Sequence, residues 1–172
     1  MKSIILAAGK GSRLGKLALN NPKCLVKLNG IPLLEYQLKI FEECGIDEIT
    51  IVAGYKSDKL NYLSKKIILN SKFNDTNMLY SLYCALDKIE GHVLISYGDS
   101  VFDKSIVNNM ILSEDDISVA SDLRWKEYWN SRYADPLSDL ETFKFDDNGY
   151  IELLGEKASS FDQIEGQYIG FI

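Results

Sequence analysis

The chain has 172 residues, of which 46% are hydrophobic and 26% charged, fractions ordinary for a globular protein and unlike those of disordered, collagenous or coiled-coil chains. Nineteen basic against 25 acidic side chains give a net charge of −6, which argues against nucleic acid or an anionic membrane as the main partner. No apolar run approaches the roughly 20 residues of a membrane span, and the stretch from Ile4 to Ala8 is too short for a signal peptide, so a cytoplasmic protein is expected.

The charge is unevenly placed. Residues 1–34 carry Lys2, Lys10, Arg13, Lys16, Lys23 and Lys27 and no acid, leaving thirteen basic and 25 acidic groups to the remainder. A positive leader on an acidic body suits a local anion site, and equally a chance run on a solvated face. Cys24, Cys44 and Cys84 are too widely spaced for a metal knuckle and read as small core residues. His92 is the single histidine. At the head of an apolar run it reads as a buried strand start, which removes Ser-His-Asp and Cys-His catalysis.

Along the chain, strand and helix patterns alternate. Ser3 to Ala7 is a continuous apolar run of the kind found in buried parallel strands. A helix is predicted between Pro32 and Gly45, with Leu34, Leu38 and Phe41 on one face. Strands follow at 48–53 and 66–69, then a helical stripe of Leu79, Leu82, Tyr83, Leu86 and Ile89. A strand from His92 to Tyr97 runs into Gly98-Asp99. A helix through Ile106, Val107, Met110 and Ile111 follows, then a strand at 116–120. Such alternation predicts an α/β protein with a mostly parallel sheet and helices on both faces. After Ser121 the rhythm changes: Leu123 to Ser131 is aromatic and mixed in charge. Thr142–Phe145 and Tyr150–Leu154 then flank Asp146-Asp147-Asn148-Gly149 as a hairpin, and Gln167 to Ile172 reads as a last strand. With no polar cap or final helix after it, the chain is expected to be one domain, 1–172, lacking C-terminal residues.

The first strand opens into Leu6-Ala7-Ala8-Gly9-Lys10-Gly11-Ser12-Arg13-Leu14-Gly15. Glycines after a buried strand let backbone N–H groups close on phosphate oxygens. A dinucleotide fingerprint requires glycine where Leu14 stands. A P-loop requires four residues between its glycines and Ser or Thr after the lysine, whereas three separate Gly11 from Gly15 and Leu17 follows Lys16. Neither motif fits.

L-A-A-G-x-G-[ST]-R followed by Pro22-Lys23 resembles the nucleotidyltransferases that join an NTP to a phosphorylated small molecule. The resemblance implies a Rossmann-like three-layer α/β/α fold with a mostly parallel mixed sheet. It implies nucleotide contacts from Leu6, Ala7, Ala8, Gly9, Lys10, Gly11, Ser12 and Arg13, with Arg13 and Lys23 catalytic. Arg13 would take the departing β- and γ-phosphates, and Lys23 would neutralise the α-phosphate, since this chemistry rests on positioning and charge. Asp99 would bind Mg²⁺. A second metal aspartate, usual in these families, would lie beyond Ile172. Asp103 could assist, or cap the helix from Lys104.

Asp75 to Leu82 resembles the cytidylyltransferase stretch that frames the base, with Asn77 and Ser81 as contacts; Asn77 or Thr76 could instead be a helix cap. Glu156-Lys157 corresponds to a pair that holds the acceptor, although Ala158 stands where proline is usual. The nearest resemblance is to bacterial cytidylyltransferases acting on phosphocholine, aminoethylphosphonate or, in capsule modification, phosphoglutamine. There Trp125 and Arg132 are further acceptor candidates. Trp125, Tyr128 and Trp129 could cage a quaternary ammonium or simply pack. The expected partners are CTP or another NTP and a small phosphorylated acceptor. The readings beside it are a sugar-1-phosphate uridylyl- or thymidylyltransferase and a nucleotide-binding module without turnover.

Overall fold

A computed structural model describes residues 1–172, apart from the side chain of Leu17. The strands are β1 (Lys2–Ala7), β2 (Lys27–Leu28), β3 (Ile31–Pro32), β4 (Glu48–Ala53), β5 (Lys66–Leu69), β6 (Val93–Tyr97), β7 (Ser121–Asp122), β8 (Glu141–Phe145), β9 (Ile151–Lys157) and β10 (Gln167–Tyr168). The α-helices are α1 (Leu33–Glu43), α2 (Met78–Cys84), α3 (Lys104–Leu112) and α4 (Trp125–Arg132). The chain divides into two compact units, residues 1–118 with 170–172, and residues 119–169.

In the first unit four parallel strands run in the order β5-β4-β1-β6. Their side chains alternate between two layers. Ile4 and Val52, with Leu6, Ile68 and Val93, pack on Leu82, Cys84 and Ala85 of the α2 region. On the opposite face Ser96 meets Gln37 of α1, while Phe41, Phe102 and Phe171 stack with centroids 4.7–6.0 Å apart. This is the expected three-layer arrangement. Helix α1 ends in a Schellman turn: Ile46 N–H donates to Phe41 C=O and Gly45 N–H to Glu42 C=O, with Gly45 at φ 76°.

Four expectations change. No strand forms at 116–120, because the outer edge of β6 is taken by residues 170–172. Ile95 and Ile172 exchange backbone hydrogen bonds of 2.7 and 2.9 Å there, and Ser96 and Phe171 form an antiparallel bridge. The predicted last strand is therefore divided: β10 pairs with β7, and only 170–172 reach the parallel sheet, making it mixed. The stripe around α2 is not a core face. Leu79, Tyr83, Leu86 and Ile89 are exposed, because the helix stops at Cys84 and turns Ser81, Leu82 and Ala85 inward. His92 precedes β6 and is exposed rather than buried.

The second unit has no layered sheet. The β8–β9 hairpin turns at the predicted Asp146 to Gly149, and α4 forms in the aromatic stretch. Trp125, Leu140, Ala158 and Ile164 make its small core, with Trp129 and Leu137 against it.

Candidate active site

Parallel sheets place their binding crevices at the carboxyl ends of the strands. In the first unit β1, β5 and β6 end on one pocket of about 210 Å³. Its floor is Leu6, Ala7, Ala8 and Gly9 from the end of β1. One wall is Tyr97, Gly98 and Asp99 from the end of β6. Asn70, Phe73, Thr76 and Asn77 from the segment between β5 and α2, and Met78 and Ser81 of α2, form another part, and Lys23 and Cys24 complete the lining.

Two local constraints bring the charged groups together. Gly98 lies so close beneath β1 that a Cβ there would come within 2.8 Å of the Ala7 Cβ and 3.3 Å of the Cys24 Cβ. Only glycine permits that approach, which turns the chain so that Asp99 enters the pocket. Buried Pro22 leads into a short 3₁₀ turn at Lys23–Leu25, and Gly11 packs on the stem of Lys23, where a Cβ would meet the Lys23 Cβ at 2.9 Å. The Lys23 ammonium and the Asp99 carboxylate form a direct ion pair, both partly exposed to the pocket.

Gln37 braces this turn from below. It is fully buried on α1, in the same helical face as Leu34, Leu38 and Phe41. Its amide N–H₂ donates to Tyr97 C=O at 2.7 Å and Ser100 C=O at 2.6 Å, bracketing Gly98-Asp99, while its Oε1 accepts from Ser96 Oγ at 2.9 Å. All of its polar atoms are satisfied, so the turn is held by buried hydrogen bonds. Burial pushes the Cys24 thiol up to about 12; a backbone hydrogen bond partly offsets this, and the Asp99 charge adds to it. Cys24 is thus a neutral part of the wall rather than a nucleophile.

Asn77 is both cap and lining. Its Oδ1 accepts the Tyr80 N–H at 3.2 Å as the N-cap of α2. Asp103 is the N-cap of α3: the Ser105 N–H and side chain hold its carboxyl below the usual range.

Of the residues expected to bind nucleotide, Leu6, Ala7, Ala8, Gly9, Lys23, Asn77 and Ser81 line the pocket together with Asp99, whereas Lys10, Gly11, Ser12 and Arg13 do not. Arg13 and Ser12 lie exposed on a 3₁₀ turn at Ser12–Leu17 that kinks at Gly15, outside the lining of this pocket. An exposed guanidinium keeps its hydration where no anion draws it in. The Lys10 ammonium sits 5.8 Å from the Phe73 ring centroid.

In the second unit Trp125 is 5% exposed, in the core, and stacks on Phe161 at 6.2 Å. Its ring is therefore spent on packing and not presented to an acceptor. Arg132 is exposed at the end of α4, its guanidinium 5.0 Å from the Tyr128 ring and 5.1 Å from that of Tyr133. Glu156 and Lys157 are exposed on β9, where the Glu156 N–H donates to Thr142 Oγ1 at 3.2 Å.

Sequence reading missed Gln37, Asn70, Phe73 and Tyr97. Asn70 and Tyr97 had a usable signal, since each sits at the carboxyl end of a predicted parallel strand. Gln37 had a weaker one, a polar residue within an apolar helical face.

Among the described residues, no group of three or more His, Cys, Asp and Glu side chains could hold a metal ion. One carboxylate beside a phosphate-sized space fits a hard cation that takes its other oxygens from a ligand and water, not a protein cage.

With the geometry established, comparison with known proteins decides the family. The model of the MobA-like NTP transferase domain matches residues 3–149. The chain belongs to this family. It is 40% identical over 181 residues to the CTP:phosphoglutamine cytidylyltransferase of Campylobacter jejuni, covering 99% of this chain and 71% of that enzyme. It is 38% identical over 117 residues to the choline-phosphate cytidylyltransferase of Streptococcus pneumoniae, covering 66% of this chain but only about half (51%) of the relative. The solved CTP:phosphocholine cytidylyltransferase from Streptococcus pneumoniae superposes with a TM-score of 0.70 at 25% identity, over 99% of this chain and 68% of that one. This NTP transferase domain thus has the nucleotidyltransferase fold that its first loop implied. No helix among the described residues is long and apolar enough to cross a membrane.

Proposed function

We propose that this NTP transferase transfers CMP from CTP to a small phosphorylated acceptor of the phosphoglutamine, phosphocholine or phosphonate type, releasing pyrophosphate. The observation that carries this reading is the carboxyl-edge pocket in which Lys23 and Asp99 face one another beside the Leu6 to Gly9 backbone. It occurs in a chain 40% identical, over nearly its whole length, to a cytidylyltransferase.

An acceptor phosphate or phosphonate oxygen attacks the α-phosphorus, a new P–O–P bridge forms, and the bond to the β-phosphate oxygen breaks as pyrophosphate leaves. Two anions must meet, so charge neutralisation and alignment carry the rate. Lys23 exchanges Asp99 for the α-phosphate. Arg13 is drawn from its exposed turn onto the departing phosphates, with Lys10 adding to the positive field. Asp99 would hold Mg²⁺, which would supply further neutralisation of the triphosphate when bound. Arg132, Glu156 and Lys157 are the candidates for the acceptor, Trp125 being buried. A CDP-linked product is an activated donor, in keeping with a cytoplasmic step of cell-surface polysaccharide modification.

The test is pyrophosphate release from CTP with Mg²⁺ across a panel of phosphoglutamine, phosphocholine and 2-aminoethylphosphonate. Release that depends on one acceptor is expected. Binding of CTP with no release on any acceptor would refute transfer.

A further inference from the structure

The wall formed by Asn70, Thr76 and Ser81 has more order than its place in the pocket requires. Asn70 is 1% exposed at the end of β5, and its side-chain amide is fully used. Its Oδ1 accepts the Lys72 N–H at 2.9 Å. A backbone N–H can only donate, so this bond fixes which way the amide faces. The Nδ2 hydrogens therefore point at the two hydroxyls, Thr76 Oγ1 at 3.2 Å and Ser81 Oγ at 3.0 Å. Each hydroxyl sends its own proton to a carbonyl, Thr76 to Lys72 C=O at 2.8 Å and Ser81 to Asn77 C=O at 3.4 Å. A hydroxyl has one proton and two lone pairs. With the proton and one lone pair committed, each has a single lone pair left. Beside them the cap bond occupies Asn77 Oδ1, so that side chain has its N–H₂ left to offer.

We infer that Asn70 is a positioning residue that polarises Thr76 and Ser81 into acceptors, and that the wall thereby selects a base carrying an exocyclic amino group over one carrying a carbonyl there. Cytosine presents an amino donor followed by two acceptors, which complements hydroxyl lone pairs beside an amide N–H₂. Uracil places a carbonyl oxygen where the amino group stands, opposing lone pair to lone pair. This deepens the CTP reading and rests on the pocket being the nucleotide site.

The experiment compares CTP with UTP in two ways. One is the kcat/KM of pyrophosphate release with a single acceptor; the other is calorimetric affinity without acceptor. The wild type is expected to favour CTP by about tenfold or more in both, the scale of leaving a buried polar pair mismatched. Asn70→Ala frees the hydroxyls to rotate, and Ser81→Ala removes one lone pair outright. Each is expected to cut the CTP:UTP ratio about fivefold or more. A merely structural defect would lower both nucleotides alike and leave the ratio unmoved. Should Asn70→Ala fail to fold, Ser81→Ala and Thr76→Val decide the matter. An unchanged ratio in the folded variants overturns the inference while leaving cytidylyl transfer standing. A ratio that falls in the binding measurement, with no turnover on any acceptor, supports the inference and removes the transfer reading instead.

Discussion

Lys23 and Asp99 stand on buried structure, with Pro22, Gly98 and Gln37 behind them, whereas all seven residues of β9, Glu156 and Lys157 included, are exposed. The first region gains its rigidity from a four-stranded parallel sheet covered on both faces. The second is a two-stranded hairpin with two register shifts and a small aromatic core. The groups proposed to meet a triphosphate in a fixed geometry are thus built on the stiff element. Exposed hairpins and short helices tolerate change, and that suits groups that distinguish one acceptor from another.

The contrast can be broken by substitution. Lys23→Ala is expected to lower kcat about a thousandfold, as for loss of a group that neutralises charge in the transition state. The far-ultraviolet circular dichroism should be unchanged. Near-normal turnover would end the case for the first region as the reacting centre.

Gln37→Leu tests whether rigidity behind Asp99 matters. Two carbonyls and the Ser96 hydroxyl lose a buried partner, for a loss of about 1–3 kcal/mol in urea unfolding. Weakened Mg²⁺ activation should accompany it. A stability loss with unaltered Mg²⁺ response would make Gln37 a core residue only.

Lys157→Ala probes the other side of the comparison. An increase of about tenfold in the KM for acceptor is expected, the scale of one charged hydrogen bond, with the KM for CTP unchanged. A rise in the KM for CTP instead would assign Lys157 to the nucleotide.

The smallest effect is that of Cys24. Because its thiol is raised in the fold, the stability it contributes is complete below the unfolded thiol value of about 8.5 and is lost as the pH climbs towards about 12. Iodoacetamide at pH 8 should leave Cys24 unlabelled in the native protein and label it after unfolding, read by mass spectrometry. Rapid native labelling would contradict the buried, neutral thiol.

Much was legible in the amino-acid order because the relevant forces are local. Apolar runs placed the strands at 48–53, closed by Gly54, and at 66–69 at their observed limits. Pro32 and Gly45 bounded α1, and Leu6 to Gly9, Lys23 and Gly98-Asp99, which the sequence singled out, line one pocket. Local pattern could not show that residues 170–172 would occupy the β6 edge, since that pairing joins segments some 75 residues apart. Nor could it foresee the exposed stripe on α2, whose inward face is chosen by what the sheet presents to it. Trp125 carries the same ring in either role; burial beside Leu140 and Ile164 settled its use.

By itself the sequence determined the main strands and helices of residues 1–112, the cationic glycine loop and the chemical types available for phosphate. Tertiary structure decided which of them meet. It joined Lys23 to Asp99, left Arg13 on an exposed turn, and aligned Asn70, Thr76 and Ser81 into one polarised wall. The physical reason is that side-chain type and backbone preference act over a few residues, while the direction of a hydrogen bond or the company of a charge is fixed only when distant strands pack.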